Sequence, residues 1–130
     1  MTTRQQRLLL FDIDGTLIHS GGAGVQALKC AFQERFGITN DLHGIEIAGM
    51  TDSGIVVSIL NKHKIPATNE NISAFLDSYV HFLSLELPRR KGKLLPGVLK
   101  LLEKLKARPH VVLGLLTGNV SRGARLKLEH

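Results

Sequence analysis

The sequence predicts an α/β protein in which a parallel β-sheet is joined to an inserted block of helices. Two runs, "RLLLFD" at 7–12 and "HVVLGLLT" at 110–117, are almost wholly apolar, as strands buried in a parallel sheet usually are. Between 25 and 105 the apolar residues instead recur three or four positions apart, which is helical spacing. The predicted order is therefore strand, helical block, linker, helix, strand and a final helix.

Capping residues mark the ends of the predicted helices. The first helix runs from Val25 to Gly37, because a glycine readily adopts the left-handed conformation that closes many helices. The second begins at Thr51 or Asp52, both good N-cap residues, and stops before Pro66. "GMTD" at 49–52 also has a functional interpretation, in which this helix N-terminus faces a bound substrate. Two other predicted helices begin near 68–71 and at Val98, and the last helix has Ser121 as its predicted N-cap.

Length and composition are those of one globular domain. The 130 residues suffice for a single core, and 43% of them are hydrophobic and 22% charged. No apolar run is long enough to cross a membrane, and the first residues lack the features of a secretory signal. The single cysteine, Cys30, cannot form an internal disulfide. We therefore expect a cytoplasmic protein with no membrane partner.

The chain is basic, with a formal net charge of +6, and four basic residues lie in "RRKGK" at 89–93. Such a charge favours a polyanionic partner or a small anionic substrate. No aromatic residue is interleaved with the cluster and no nucleic-acid-binding motif surrounds it. We predict a solvated basic loop and no nucleic-acid partner.

Two aspartates follow the first predicted strand directly, in "DIDGT" at 12–16. Carboxylates at the tip of a buried strand are costly unless a cation or protons offset their charge. In strand geometry Asp12 and Asp14 point to the same side, and Gly15 allows a sharp turn close to a ligand. Oxygen ligands of this kind suit Mg²⁺, which usually takes one or two protein carboxylates. The alternative is a plain strand end followed by an Asp-Gly turn.

The second predicted strand ends in "TGN" at 117–119, where a hydroxyl is followed by an unhindered backbone N–H. Hydroxyls and loop amides can bind phosphate oxygens, although an ordinary strand-to-helix turn has the same composition. In open parallel sheets ligands bind outside the carboxyl ends of the strands. We therefore expect both strand tips to face one crevice.

Together these segments resemble the haloacid dehalogenase (HAD) superfamily, and specifically its phosphatases. "LLLFDIDGTL" at 8–17 is similar to the first motif of that superfamily, and "VVLGLLTGN" at 111–119 is similar to the second. "LLPGVLKLLEKL" at 94–105 resembles the segment that returns from a helical cap to the core. Among these phosphatases, the chain looks like the phosphoglycolate-phosphatase-like enzymes.

The resemblance implies a HAD-like Rossmannoid core with a parallel sheet and an inserted helical cap. Residues 1–18 and 91–130 would form the core, and residues 19–90 the cap with its hinge linkers. The superfamily has two further motifs, a lysine and then one or two acidic residues. Since the chain ends at His130, we expect the C-terminal part of the core to be missing and residues 1–130 alone to be inactive. Lys127 is expected to lie about one turn too early to serve as that lysine.

The activity implied by the resemblance is Mg²⁺-dependent hydrolysis of the phosphate monoester of a small metabolite. Asp12 would be the nucleophile that forms an aspartyl-phosphate, and Asp14 the general acid and base. Mg²⁺ would be held by the Asp12 carboxylate and the Asp14 backbone carbonyl. The groups expected to bind the phosphoryl oxygens are in Gly15, Thr117, Gly118 and Asn119.

Two other functions stay open at the level of sequence. A sugar phosphomutase of the same superfamily would return the phosphate to a sugar. A non-catalytic binding module would use the basic charge to recruit an acidic partner. Dehalogenases of the superfamily lack the second aspartate, because a carbon–halogen bond needs no proton on its leaving group, so Asp14 favours a phosphatase. We also expect self-association, for example as a homodimer, because the strand at 110–117 lacks a neighbour on one edge.

Overall fold

The computed structural model describes residues 4–39 and 42–130, and internal contacts divide the chain into two units. One unit consists of Met1–His19 and Gly92–Thr117, and the other of Ser20–Lys91 and Gly118–His130. The sequence places residues 118–130 with the core, whereas the contacts group them with the helices. The division into core and cap stays a prediction.

The described residues contain five helices and four strands. In chain order they are β1 (Arg7–Phe11), β2 (Ile18–His19), α1 (Ala23–Phe36), α2 (Asp52–Lys62), α3 (Asn69–Glu86), β3 (Lys93–Leu94), α4 (Val98–Lys106), β4 (Val111–Leu115) and α5 (Ser121–Glu129). A single 3-10 turn follows α3 at Leu87–Arg89. The mixed α/β class predicted from sequence is confirmed.

The first unit is built on the parallel pairing of β1 with β4. Their register runs from Arg7 opposite Val111 to Phe11 opposite Leu115. Both strands therefore end at the same edge of the sheet, as the sequence predicts. A second, antiparallel pair of two-residue strands, β2 with β3, was not predicted.

The side chains of this sheet are more exposed than the sequence predicts. Leu8 is 62% exposed, and Leu10, Val112 and Leu115 are about half-exposed. A pair of strands presents two faces, and burial of both would need an element packed on each of them. In this unit α4 packs against β4, and several apolar side chains of the pair stay exposed. The apolar runs identified the strands correctly but overestimated their burial.

The second unit has its own hydrophobic core, arranged around α3. This helix packs against α1, α2 and α5. Aromatic rings meet at the centre, where Phe32 of α1 lies 6.0 Å from Phe75 of α3 and 5.8 Å from Phe36, centroid to centroid. The other fully buried large side chains of this unit are Val56, Ile59, Leu60, Tyr79 and Leu83.

Helix ends follow the predicted capping residues, with one exception. The Thr51 hydroxyl accepts a hydrogen bond from the Gly54 N–H at 3.0 Å and caps α2. Gly37 closes α1, as predicted, by donating its N–H to a carbonyl of the last turn. The exception is α5, whose N-cap is Val120 instead of Ser121 and has no side-chain cap. There the side chain of Asp52 accepts the N–H of Val120 itself.

The basic cluster at 89–93 is partly paired. Arg89 and Arg90 both lie 3.4 Å from the carboxylate of Glu86, which is 7% exposed. The cluster was predicted to be only solvated, but two of its arginines are positioned by this carboxylate. Within the described residues, no helix is both long and apolar enough to cross a membrane.

The aromatic centre of the second unit should be the most sensitive point of its core. Phe32→Ala removes a side chain with no solvent exposure, and it should lower the free energy of unfolding by about 3–5 kcal/mol. Leu85→Ala removes an α3 side chain that is 41% exposed, and should change it by less than about 0.5 kcal/mol. Urea unfolding followed by circular dichroism measures both. Equal losses for the two variants would contradict this account of the core.

Candidate active site

A tight turn after β1 presents the two aspartates. The carbonyl of Ile13 accepts N–H groups from Thr16, Leu17 and Ile18 at 2.9–3.2 Å, and this folds the chain back on itself. Gly15 has a φ of +75°, a conformation that side-chain-bearing residues rarely adopt. Its N–H donates to the carbonyl of Ile18 at 2.9 Å. The glycine of the motif is therefore required by the backbone conformation of the turn.

Asp12 and Asp14 both lie on the exposed side of this segment. Ile13 between them is fully buried, whereas both carboxylate-bearing residues are exposed. The backbone N–H of Ile13 donates to Oδ1 of Asp12 at 2.8 Å, which orients that carboxylate. The strand alternation expected from sequence thus continues past the end of β1.

The end of β4 lies beside this turn. The N–H of Leu116 donates to the carbonyl of Phe11 at 2.8 Å, so the pairing of the two strands continues one residue past β4. Thr117 is the next residue. The first unit therefore brings Thr117 to the same sheet edge as Asp12 and Asp14.

The loop formed by residues 118–120 is held by the start of α2 within the second unit. The backbone N–H of Asp52 donates to the carbonyl of Gly118 at 2.8 Å, and Oδ2 of Asp52 accepts the N–H of Val120 at 2.8 Å. A Cβ on Gly118 would lie 2.6 Å from the carbonyl oxygen of Met50 and 3.0 Å from Cα of Thr51. Only a glycine fits at this approach of two backbone segments.

Lys127 reaches the same loop from α5. Its Nζ donates to Oδ1 of Asn119 at 2.7 Å, and the residue is only 8% exposed. The sequence predicted that Lys127 lies a turn too early for a functional role. The structure nevertheless places its ammonium on the side chain of Asn119, two residues after Thr117.

Sequence reasoning missed the structural roles of Asp52 and Lys127. Asp52 was considered as a helix cap or as a residue facing substrate, but Thr51 caps α2 and Asp52 is buried against the loop. An acidic residue at the start of a helix is ordinary, and so is a lysine near the end of one. No local signal distinguishes these two residues. Asp52 bonds a residue 68 positions away in the chain, and Lys127 bonds a loop residue outside its own helix, eight positions away.

The oxygen atoms of the turn are suitable partial ligands for Mg²⁺. Asp12 contributes an exposed carboxylate, and Asp14 a backbone carbonyl. Mg²⁺ is bound through one or two carboxylates and retains several water molecules, and such a set fits this exposed turn. Among residues 4–39 and 42–130, no group of three or more His, Cys, Asp or Glu side chains could hold a metal ion.

A comparison with known protein families shows to which family the chain belongs. A family model described as haloacid dehalogenase-like hydrolase matches residues 9–130. The chain belongs to this family. The turn that carries both aspartates and the end of β4 lie within the matched region, and the resemblance to the haloacid dehalogenase superfamily seen in the sequence is confirmed.

Solved structures share the fold of this HAD-like chain. CbbY from Rhodobacter sphaeroides, in complex with phosphate, is 16% identical, with a TM-score of 0.75, over 96% of this chain and 56% of that one. A predicted phosphoglycolate phosphatase from Haemophilus somnus is 20% identical, with a TM-score of 0.63, over 99% of this chain and 58% of that one. The HAD-hydrolase YfnB from Bacillus subtilis, bound to magnesium, is 23% identical, with a TM-score of 0.51, over 97% of this chain and 60% of that one.

These similarities establish a shared fold. The HAD-like chain spans a little over half the length of each of these proteins. No curated protein matches it significantly in sequence.

The close approach at Gly118 gives a stability prediction with a control in the same segment. Gly118→Ala forces a Cβ against the Met50 carbonyl, and should lower the free energy of unfolding by about 1–3 kcal/mol. Gly123→Ala, within α5, meets only ordinary contacts at 3.5 Å or more. It should be neutral or should stabilise by about 0.5–1 kcal/mol, because alanine favours helices over glycine. Urea unfolding measures both variants, and a Gly118→Ala variant as stable as the parent would refute the close packing.

Proposed function

We propose that this chain carries the nucleophile and the general acid of a Mg²⁺-dependent phosphatase that acts on phosphate monoesters of small metabolites. The observation that carries the proposal is the turn after β1. It exposes Asp12 and Asp14 at the sheet edge where β4 ends at Leu115, two residues before Thr117. Membership of the haloacid dehalogenase-like hydrolase family supports a hydrolytic reaction.

Asp12 is the nucleophile in this proposal. The Ile13 N–H donates to its Oδ1 at 2.8 Å, and we assign the attack on phosphorus to the other oxygen, Oδ2. A bond forms between Oδ2 and phosphorus while the bond from phosphorus to the substrate oxygen breaks, which leaves an aspartyl-phosphate and an alcohol. Water then attacks the phosphorus and releases inorganic phosphate and the free carboxylate. This route divides one difficult displacement into two easier ones.

Asp14 is the general acid and then the general base. Protonated Asp14 gives its proton to the departing alcohol oxygen, and its carboxylate later takes a proton from the attacking water. Its position two residues after Asp12, on the exposed side of the same turn, allows both carboxylates to serve one substrate.

The Asp12 carboxylate and the Asp14 backbone carbonyl would hold Mg²⁺. The ion, when bound, supplies charge that screens the repulsion between an anionic nucleophile and an anionic phosphate. The phosphoryl oxygens are bound by the Thr117 hydroxyl and by the backbone amides of Gly118 and Asn119. The N–H of Gly15, which was expected to bind phosphate as well, instead donates to the carbonyl of Ile18 and closes the turn.

A small phosphorylated metabolite such as phosphoglycolate is the proposed substrate class. Support comes from the sequence resemblance to phosphoglycolate-phosphatase-like enzymes. The fold is also shared with a predicted phosphoglycolate phosphatase and with a protein crystallised with phosphate.

The decisive variant for the nucleophile is Asp12→Asn in the complete protein. The change is nearly isosteric, so the fold should be kept while phosphatase turnover falls by more than roughly 1,000-fold. Release of inorganic phosphate from p-nitrophenyl phosphate with Mg²⁺ measures the rate. Asp77→Asn, at an exposed surface aspartate paired with Arg122, is the control and should keep the parental rate. Residual activity of Asp12→Asn within tenfold of the parent would refute the assignment.

Asp14 should be needed most where the leaving oxygen is a poor one. Asp14→Asn should lower kcat/KM on an alkyl phosphate by about 10²–10⁴-fold, the usual contribution of a general acid. The loss on p-nitrophenyl phosphate should be within about tenfold, because that leaving group departs without a proton. The two substrates measured on one variant control for any change in folding. Equal losses on both would remove the acid–base role.

A further inference from the structure

Asp52 makes two hydrogen bonds to one three-residue loop. Its backbone N–H donates to the carbonyl of Gly118, and its Oδ2 accepts the N–H of Val120, both at 2.8 Å. The loop at 118–120 is therefore held at both ends by the first residue of α2.

Stabilisation of α2 does not explain why this carboxylate is buried. Thr51 already caps the helix by accepting the Gly54 N–H. A negative charge favours a helix N-terminus equally well when it is exposed, yet Asp52 is only 7% exposed. Burial of a carboxylate is unfavourable unless hydrogen bonds replace its water, and the Val120 N–H supplies one of these. The side chain is directed at the loop.

The bond to Gly118 also orients the next amide. A trans peptide group is planar, and its C=O and N–H point in opposite directions. Because the Gly118 carbonyl points to the Asp52 N–H, the N–H of Asn119 in the same peptide group points away from α2. The N–H of Asn119, one of the amides assigned to phosphate binding, therefore has a fixed direction.

We propose that Asp52 is a positioning residue for phosphate binding, an inference that rests on the proposed phosphatase function. Asp52 holds the loop at 118–120, so that the backbone amides of this loop are set before phosphate arrives. Interactions preorganised in this way bind phosphate more tightly than those that must be ordered on binding.

The test compares Asp52→Ala and Asp52→Asn in the complete protein. Asp52→Ala removes the acceptor for Val120, and should raise the KM for p-nitrophenyl phosphate and the inhibition constant of inorganic phosphate about tenfold, the equivalent of one lost hydrogen bond. Because the residue does not touch the reacting atoms, kcat should change by less than about threefold. Amide hydrogen exchange at Val120 should become faster. Asp52→Asn keeps an acceptor oxygen and should restore phosphate affinity to within about threefold of the parent.

Glu70→Ala is the matched control, because Glu70 is an exposed acidic residue in the first turn of α3. It should leave the KM, the phosphate inhibition constant and Val120 exchange unchanged. If Asp52→Ala retains parental phosphate affinity, the inference is overturned while the proposed function stands. An Asp52→Asn variant as impaired as Asp52→Ala also overturns it, since the hydrogen bond would then not be the cause. If the parent protein neither hydrolyses nor binds phosphate, the proposed function fails and the inference fails with it.

Discussion

The parallel pairing of β1 with β4 is the constraint on which the candidate active site depends. The two strands are far apart in the chain, and closing so long a segment costs conformational entropy that grows only slowly with its length. The backbone ladder from Arg7 and Val111 to Phe11 and Leu115 offsets that cost. A slip of one residue in this register would send every side chain of one strand to the other face of the sheet. The position of Thr117 beside the aspartate turn follows from this register.

The helices inserted between these strands have a hydrophobic core of their own. Their core is built around α3, with an aromatic centre at Phe32 and Phe75. A helix supported by such a core presents its first residue in a fixed direction, which a flexible loop could not do. Asp52 occupies that position in α2, immediately after the Thr51 cap, and it contacts the segment that follows β4. Helix capping and loop positioning are thus performed by adjacent residues.

Several charged side chains of the helical unit have defined partners, which the composition of the chain does not indicate. The excess of basic residues led to the prediction of a solvated cluster, yet Glu86 pairs with two of its arginines. Lys127 is buried and donates to Asn119, where a surface position was the ordinary expectation for a lysine. These pairings join residues in different elements or different turns, so net charge alone carries no information about them.

The fold class and the family followed from local patterns in the sequence. The apolar run before Asp12, the alternation through Ile13 to Asp14 and the glycine at 15 each reflect a short-range requirement of strand or turn geometry. Their positions in the structure agree with those requirements. Helix ends at Gly37 and Thr51 were predictable for the same reason, because a cap bonds within its own turn.

Tertiary structure alone decided which residues surround the loop after Thr117. A hydrogen bond from Val120 to Asp52, or a close approach of Gly118 to Met50, joins segments widely separated in the chain. Periodicity and spacing in the sequence do not predict such contacts, since the residues next to Asp52 and Gly118 in the chain are ordinary ones. The sequence by itself determined where the aspartates stand and which elements flank them. Packing of α2 and α5 around the loop determined that Asp52 and Lys127 act on it, because only the folded chain brings their polar atoms within hydrogen-bonding distance.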